Sequence, residues 1–150
     1  MSTDTSYKKL KNIGGKPVGL LTILSLPKLP IHAHIEILAG LSYDIVIKLS
    51  RLTQIDEFTI CQLANVTATK GHKQEKKVLS AKQSVRLYIF VRIFDAALRL
   101  FNGDVSSAIQ WLKSPSRALG DESPIQMLST PPGAEAVMDL IGQIEHGVIS

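Results

Sequence analysis

Hydrophobic residues recur along the chain at the three- to four-residue spacing of amphipathic helices, which predicts an all-α fold. The pattern is clearest in the last fifty residues, where capping residues mark the starts of three helices. A Ser, Thr, Asn or Asp side chain accepts from the free N–H groups of a first turn, and Pro at the first position loses no bond. The predicted caps are Asn102 or Asp104, then Ser123 with Pro124, then Thr130 with Pro131.

These three helices also carry apolar residues at helical spacing. In the first, Trp111 shares its side with Ala108 and Leu112, so we expect Trp111 to be a core residue. Pro115 is expected to end this helix, and Gly147 is placed to end the third. The last fifty residues are therefore predicted to form a compact helical module.

The order of residues in this module resembles that of a known family. The matching positions run nearly without a gap to the end of the chain and are Phe101, Gly103, Asp104, Trp111, Leu112, Ala118, Leu119, Gly120, Ser123, Pro124, Leu128, Thr130, Gly133, Ala134, Val137, Leu140, Ile144, Gly147 and Val148. The order is similar to that of the toxin-binding domain of the Xre/MbcA/ParS antitoxins. So many fixed spacings rarely coincide by chance.

The resemblance implies a function. Antitoxins of this family combine the toxin-binding domain with an Xre-type helix-turn-helix, and the toxin is usually a RES-domain protein that consumes NAD or uses it for ADP-ribosylation. Their last residues obstruct the NAD pocket of the toxin. The resemblance therefore implies a type II antitoxin that represses its own operon and whose toxin-binding residues are Ile144, Glu145, His146, Gly147, Val148, Ile149 and Ser150.

The N-terminal part of the chain begins with a polar, basic stretch, residues 1–17, which is predicted to be a mobile arm. Residues 18–26 are apolar but too few to span a bilayer, and we expect them to be part of the fold rather than a signal peptide. Pro30 and Gly40 bracket a helix. We expect its apolar stripe to face inward and its polar residues to face solvent; the stripe is Ile31, Ile35 and Leu38, and the polar residues are His32, His34 and Glu36.

Two short helices follow, capped by Ser42 and Asp56, and they resemble the start of a helix-turn-helix. Their inner faces are predicted to contain Ile45, Val46, Leu49 and Leu52 in the first helix and Phe58, Ile60, Cys61, Leu63 and Ala64 in the second. Cys61 in mid-helix and Asn65 at the turn are small enough to let helices approach each other.

A basic segment comes next, where a recognition helix would begin near Ala68. It departs from the family pattern, because Gly71 stands where an aliphatic residue normally anchors the recognition helix to the core. Its cations can still neutralise phosphate. We predict DNA contacts by Thr67, Thr69, Lys70, His72, Lys73, Lys76 and Lys77.

Ser80 and Gln83 have the spacing of a capping box before the longest helical run in the chain, residues 81–101. This run is apolar over so wide an arc that it must be covered on more than one side. Two explanations stay open: a homodimer formed along this helix, or a central helix covered by the chain itself. The sequence is thus divided into an arm, residues 1–17, a DNA-binding part, residues 18–80, this helix, and a toxin-binding domain, residues 102–150.

The distribution of charged residues indicates different partners for the two parts of the chain. Residues 1–100 contain 15 Lys and Arg against 7 Asp and Glu, whereas residues 101–150 contain 2 against 6, which favours DNA for the first part and a protein partner for the second. One cysteine, Cys61, forms no disulfide within the chain and fits a reducing cytoplasm. His32 and His34 lie on different helix faces, so we expect no metal site.

No phosphate-binding glycine loop or workable nucleophile and base pair supports an enzyme, and no cofactor is expected. The main alternative to an antitoxin is a DNA-binding regulator without a toxin, in which the C-terminal module only dimerises. A metabolic enzyme is a third hypothesis and would need a small-molecule ligand that stabilises the fold.

Overall fold

The computed structural model describes residues 19–68 and 77–147, and within these residues the fold is all-α, as predicted. The helices are α1 (Leu20–Ile23), α2 (Pro30–Ala39), α3 (Asp44–Thr53), α4 (Glu57–Ala64), α5 (Ala81–Leu100), α6 (Val105–Lys113), α7 (Pro124–Met127) and α8 (Pro131–Glu145), with a 3₁₀ turn at Arg117–Leu119. The chain divides into two compact units, residues 1–91 and 92–150, and the boundary falls within α5. The predicted arm, residues 1–17, lies outside the described residues.

The N-terminal unit has its own core. Helices α3 and α4 contact each other, and their largest fully buried residues are Val46, Leu49 and Ile60. Tyr43, at the start of α3, is also completely buried. The apolar stretch before α2 belongs to this core, because Leu20, Leu21, Leu24 and Leu26 are buried. The expectation that this stretch is part of the fold is thus confirmed for the described residues.

A short extended segment is paired with the loop before α3. The Leu79 N–H donates to the Leu41 carbonyl, and the Tyr43 N–H donates to the Lys77 carbonyl, both at 2.8 Å. The Leu41 N–H in turn donates to the Ser84 hydroxyl on α5, also at 2.8 Å and buried. These bonds provide partners for backbone N–H and C=O groups that are shielded from water. They also connect the first turn of α5 to the loop before α3.

The bounds predicted for α2 are confirmed, but the predicted orientation of its apolar stripe is wrong. Ile31, Ile35 and Leu38 are 62%, 57% and 63% exposed, respectively. The helix instead buries Ala33, whereas His32, His34 and Glu36 are exposed as expected. The spacing of apolar residues identifies a helix face but does not say which surface covers it. A similar correction applies to α4, where Phe58 is 61% exposed rather than part of the inner face.

Helix α5 is covered by the chain itself. Its buried apolar residues are Leu87, Tyr88, Phe90, Val91, Ile93, Phe94, Ala96, Ala97 and Leu98. Val85 is partly exposed, at 38%. Of the two explanations that the sequence left open, burial within one chain accounts for this wide apolar arc. A second copy is not required to cover it.

The C-terminal unit follows the predicted caps closely. The Asp104 side chain accepts from the Ser107 N–H at the start of α6, and Thr130 accepts from the Gly133 N–H at the start of α8. Ser123 and Gln126 form a capping box on α7. Helices α6 and α8 both contact α7. The predicted caps of α6, α7 and α8 are therefore all confirmed.

Gly133 marks the closest approach in the C-terminal unit. A Cβ atom added there would overlap the carbonyl oxygen of Met127, a backbone atom that cannot turn aside. We predict that Gly133→Ala lowers the free energy of unfolding by about 1–3 kcal/mol, because α8 must shift away from the turn after α7. Chemical denaturation followed by circular dichroism measures the change.

Gly142 provides the matched control within the same helix. A Cβ atom added there meets no atom within 4 Å, so Gly142→Ala should raise the free energy of unfolding by up to about 1 kcal/mol through helix propensity. Equal effects of the two substitutions would contradict the close approach at Gly133.

Candidate functional site

Trp111 is a partly exposed aromatic residue on the C-terminal unit. Ala108 and Leu112 on the same helix are completely buried, whereas Trp111 and Ile109 are only half-buried. The expectation that Trp111 is a core residue is therefore wrong in part. Its indole lies at the border between the core and the surface, where aromatic rings commonly anchor protein partners.

The end of α8 is held to the last turn of α5 by an ionic cluster. The Arg99 guanidinium lies 3.5 Å from the Glu145 carboxylate, from Nε to Oε1. The same guanidinium donates from Nη1 to the Asp95 carboxylate at 3.0 Å. Asp95 is largely buried, whereas Arg99 and Glu145 keep half and one third of their side chains exposed. The cluster therefore links the last turn of α8 to the end of α5.

The predicted toxin-binding residues lie together at this point as far as the described residues extend. Ile144 is 37% exposed, and Glu145, His146 and Gly147 are also at the surface. Gly147 has a left-handed backbone with φ of 65°, which terminates the helix as predicted because glycine adopts this conformation readily. Val148, Ile149 and Ser150 lie outside the described residues.

The exposed surface of this unit carries mostly negative charge. Exposed acidic residues lie on the loop before α7 and on α8: Asp121, Glu122, Glu135, Asp139 and Glu145. Lys113 and Arg117 are its basic residues beyond α5. A surface of this sign favours a basic partner and opposes binding to phosphate.

The candidate DNA-binding region consists of α3, α4 and the chain that follows them. The Asp56 side chain accepts from the Thr59 N–H at 3.0 Å and from the Thr59 hydroxyl at 2.6 Å, which caps α4 as predicted. These bonds hold the pKa of Asp56 below its usual value, since they stabilise the ionised carboxylate. Asn65 ends α4 in the left-handed conformation, with φ of 56°, so the chain turns sharply where the sequence predicted.

The residues predicted to contact DNA are only partly within the described structure. Thr67 is exposed, and its hydroxyl accepts from the Gln83 side chain of α5 at 3.1 Å. Lys77 is half-buried, and its carbonyl accepts the Tyr43 N–H described above. Ala68 is not helical, and the segment after it, in which a recognition helix is predicted, lies outside the described residues. The remaining predicted residues, Thr69, Lys70, His72, Lys73 and Lys76, lie outside the described residues.

Cys61 is a core residue, as predicted. It is 2% exposed, and its sulfur lies 3.7 Å from the Tyr43 hydroxyl. Burial raises the pKa of the Cys61 thiol, so it stays protonated near neutral pH and is a poor nucleophile. Across residues 19–68 and 77–147, no three His, Cys, Asp or Glu side chains are grouped to hold a metal ion. The helices in these ranges are also too short or too polar to cross a membrane.

Sequence reasoning missed Arg99 as a residue that positions the end of α8. The spacing of Asp95 and Arg99, one helical turn apart, is a visible signal for their ion pair. The contact of Arg99 with Glu145 has no such signal, because 46 positions separate them in the sequence. It also gives Glu145, predicted as a toxin-binding residue, an intramolecular partner.

The C-terminal unit matches a known protein family. Residues 96–147 match the sequence model of the family described as the antitoxin Xre/MbcA/ParS C-terminal toxin-binding domain. This range contains α6, α7 and α8 and the Arg99–Glu145 contact. The resemblance noted in the sequence is thereby confirmed for this unit.

The similarity extends beyond that unit. The chain is 38% identical over 121 residues to the antitoxin Xre of Photorhabdus laumondii, a match that covers 79% of this chain and 82% of the relative. It is 35% identical over 114 residues to the antitoxin Xre of Yersinia enterocolitica, covering 74% of this chain and 76% of the relative. A third antitoxin Xre, from Pseudomonas putida, is 25% identical over 130 residues, covering 85% and 81%.

These matches are longer than the C-terminal unit, so they include much of the N-terminal part as well. The relatives are named for antitoxin function rather than for a reaction, in agreement with the expectation that this chain is not an enzyme. The chain belongs to the Xre antitoxin family, and it is an antitoxin of a toxin–antitoxin system.

Proposed function

We propose that this antitoxin neutralises a RES-type toxin that uses NAD, and that residues 144–150 obstruct the NAD pocket of that toxin. The observation that carries the proposal is the end of α8, where Arg99 contacts Glu145 while Ile144, His146 and Gly147 are exposed. A helix end that is already ordered loses little conformational entropy when a partner binds. The resemblance to the family supplies the type of toxin.

The charge of the C-terminal unit supports the same proposal. A pocket that binds NAD needs basic groups for the pyrophosphate, and the end of α8 offers the Glu145 carboxylate. Arginine and carboxylate pairs are among the stronger hydrogen-bonded contacts between proteins. The acidic surface around α8 would also speed the encounter with a basic pocket.

We propose in addition that the antitoxin binds operator DNA and so represses its own operon, as a cytoplasmic type II antitoxin. Helices α3 and α4, the sharp turn at Asn65 and the excess of basic residues in the first 100 positions support this proposal. The cations of residues 70–77 would contact phosphate, which contributes most of non-specific DNA affinity.

A regulator without a toxin partner is the alternative. In that case the C-terminal unit would serve only in dimerisation, and its acidic surface and exposed end of α8 would have no partner. A toxin gene in the same operon, or a second protein that co-purifies, distinguishes the two. The match to a toxin-binding domain favours the antitoxin.

We predict that the tail is separable from folding. Deleting Val148 to Ser150 should leave the melting temperature and DNA binding nearly unchanged, because these residues follow the helix end at Gly147. The truncated protein should still bind the toxin but inhibit it at least tenfold less. The measurement is NAD consumption by the toxin encoded beside the antitoxin, at equal occupancy of the complex.

A companion variant changes the charge of this segment without shortening it. Glu145→Gln removes the carboxylate that is proposed to meet a basic group of the toxin, so it should lower toxin affinity, and it should leave the melting temperature nearly unchanged because its partly exposed ion pair with Arg99 contributes little. Full inhibition by the truncated protein would contradict the obstruction of the pocket. Inhibition would then result from the docking of residues 96–147 alone.

A second prediction concerns Trp111. Since this residue is only half-buried, Trp111→Ala should lower the free energy of unfolding by about 1–2 kcal/mol, less than the loss of a fully buried tryptophan. The affinity for the toxin should fall at least tenfold, as expected for an aromatic anchor. Calorimetric titration against the toxin measures the affinity of the folded variant.

Ile109→Ala is the control for Trp111→Ala, because Ile109 is half-buried on another side of the same helix. It should lower stability without lowering toxin affinity. If Trp111→Ala strongly lowers the free energy of unfolding but the folded variant binds the toxin normally, Trp111 is a core residue and not an anchor for the toxin.

A third prediction tests the DNA site. Replacing Lys70, Lys73, Lys76 and Lys77 by Ala should weaken binding to the operator. The slope of log affinity against log salt should fall by about 0.9 for each phosphate that the variant no longer neutralises. The affinity is measured by fluorescence anisotropy over a range of salt concentrations, with toxin binding as the test that the fold is intact.

The arm supplies a control with the same change in charge. Replacing Lys8, Lys9, Lys11 and Lys16 by Ala also removes four positive charges. If this control lowers the slope and the first variant does not, the DNA site lies in the arm rather than in residues 70–77.

A further inference from the structure

Two cations on α5 lie beside the turn that ends α4. The Arg86 guanidinium donates from Nη1 to the Asn65 carbonyl at 3.3 Å, and the Gln83 amide donates to the Thr67 hydroxyl at 3.1 Å. Lys82 is exposed and lies four positions before Arg86, so the two cations share one face of the helix. The turn and this face of α5 therefore form one surface, the α5 basic surface, which consists of Asn65, Thr67, Lys82, Gln83 and Arg86.

The described part of the chain does not neutralise the positive charge of this surface. Lys48 and Arg99 each form an ion pair with a carboxylate one helical turn away. Among residues 19–68 and 77–147, neither Lys82 nor Arg86 has such a partner. The acidic residues of α4 lie at its start, and the eight residues of this helix span about 12 Å, so these carboxylates are at the far end from the turn. Cations without an ion pair attract a polyanion.

The polar groups of the α5 basic surface suit phosphate oxygens. Lysine and arginine side chains are donors only, and Arg86 has several N–H groups besides the one that it donates to Asn65. Because the Thr67 oxygen accepts from Gln83, the hydroxyl hydrogen can be donated to a ligand. Side chains of these three types are common phosphate ligands in complexes of proteins with DNA.

The spacing of the two cations also fits a DNA strand. Lys82 and Arg86 are about 6 Å apart along the helix axis. Phosphates of one strand follow each other about every 3.4 Å along the duplex axis, so the two long side chains can contact neighbouring phosphates. The toxin is a less suitable partner for this surface, because the match to the toxin-binding domain begins only at residue 96.

We propose that the α5 basic surface binds the phosphate backbone of operator DNA, with Lys82 and Arg86 contacting phosphates and Thr67 donating a hydrogen bond. The proposal rests on the operator binding proposed above, and it adds two cations that lie outside the basic segment predicted to contact DNA. Helix α5 is then part of the DNA interface as well as of the core. Contacts of this kind position the DNA and do not read its sequence.

The test measures the operator affinity of the full-length antitoxin by fluorescence anisotropy at several salt concentrations. Lys82→Ala should lower the slope of log affinity against log salt by about 0.9 and weaken binding about tenfold at low salt. A duplex of scrambled sequence should lose affinity by the same factor, because phosphate contacts carry no sequence information. Toxin binding and the melting temperature should stay unchanged.

Lys28→Ala is the matched control for Lys82→Ala. Lys28 is exposed, and its substitution removes the same charge from the same unit. It follows Pro27, whose carbonyl accepts from the Tyr88 hydroxyl. Tyr88 lies six positions after Lys82 and therefore on a different side of α5. The control should leave the salt slope nearly unchanged.

Arg86 needs two substitutions, because it also bonds to the Asn65 carbonyl. Arg86→Ala removes both the charge and the bond, whereas Arg86→Lys keeps the charge. If the charge contacts a phosphate, Arg86→Ala lowers the salt slope by about 0.9 and Arg86→Lys restores most of it. A role limited to holding the turn would lower the affinity of Arg86→Ala without lowering its slope. Circular dichroism verifies that both variants are folded.

Three results would overturn the proposal while leaving operator binding intact. These are an unchanged slope in Lys82→Ala, equal slopes in Arg86→Ala and Arg86→Lys, and a slope that Lys28→Ala lowers as much as Lys82→Ala does. The third result would show a general effect of net charge. A wild-type protein that binds neither the operator nor the scrambled duplex would contradict the proposed DNA binding itself.

Discussion

The burial of α5 is the constraint on which both units depend. A helix of 20 residues with apolar side chains around most of its circumference cannot be left in water, because exposing each large side chain costs about 1.5–3 kcal/mol. The first unit is attached to it by the Leu41–Ser84 bond and by the Tyr88 hydroxyl, which donates to the Pro27 carbonyl at 2.6 Å. In the second unit, Ile93, Phe94 and Leu98 of the same helix are buried, and Arg99 contacts the end of α8. Each unit therefore builds its core on its own part of one helix.

The sequence predicted the helix starts better than the helix faces, and the reason is physical. A cap such as Asp56 or Thr130 involves atoms three residues apart, so nearby sequence determines it. The cover of a face comes from distant parts of the chain or from another molecule. Ile35 has the spacing of a core residue, yet it is exposed. Periodicity therefore identifies an apolar stripe but does not determine whether the same chain buries it.

The candidate toxin-binding site could likewise be predicted only where the nearby sequence determines the structure. The resemblance located the end of α8, and Gly147 could be recognised because its position required a left-handed residue. The contact between Arg99 and Glu145 depends on the packing of α8 against the end of α5, which no local pattern encodes. The proposed DNA-binding residues stay a prediction where they lie outside the described structure. Thr67 and Lys77, which flank them, have hydrogen bonds to α5 and to the start of α3.

The ionic cluster at the end of α8 is suited to the exchange of partners that the proposed inhibition requires. Glu145 is partly exposed, and such ion pairs contribute only about 0–1 kcal/mol in water. If Glu145 turns to an arginine of the toxin, Arg99 keeps its bond to the more deeply buried Asp95. No buried charge is then left without a partner, which would cost several kcal/mol. The ion pair can thus link the end of α8 to α5 in the free antitoxin, and the proposed binding to the toxin could release Glu145 from it at little cost.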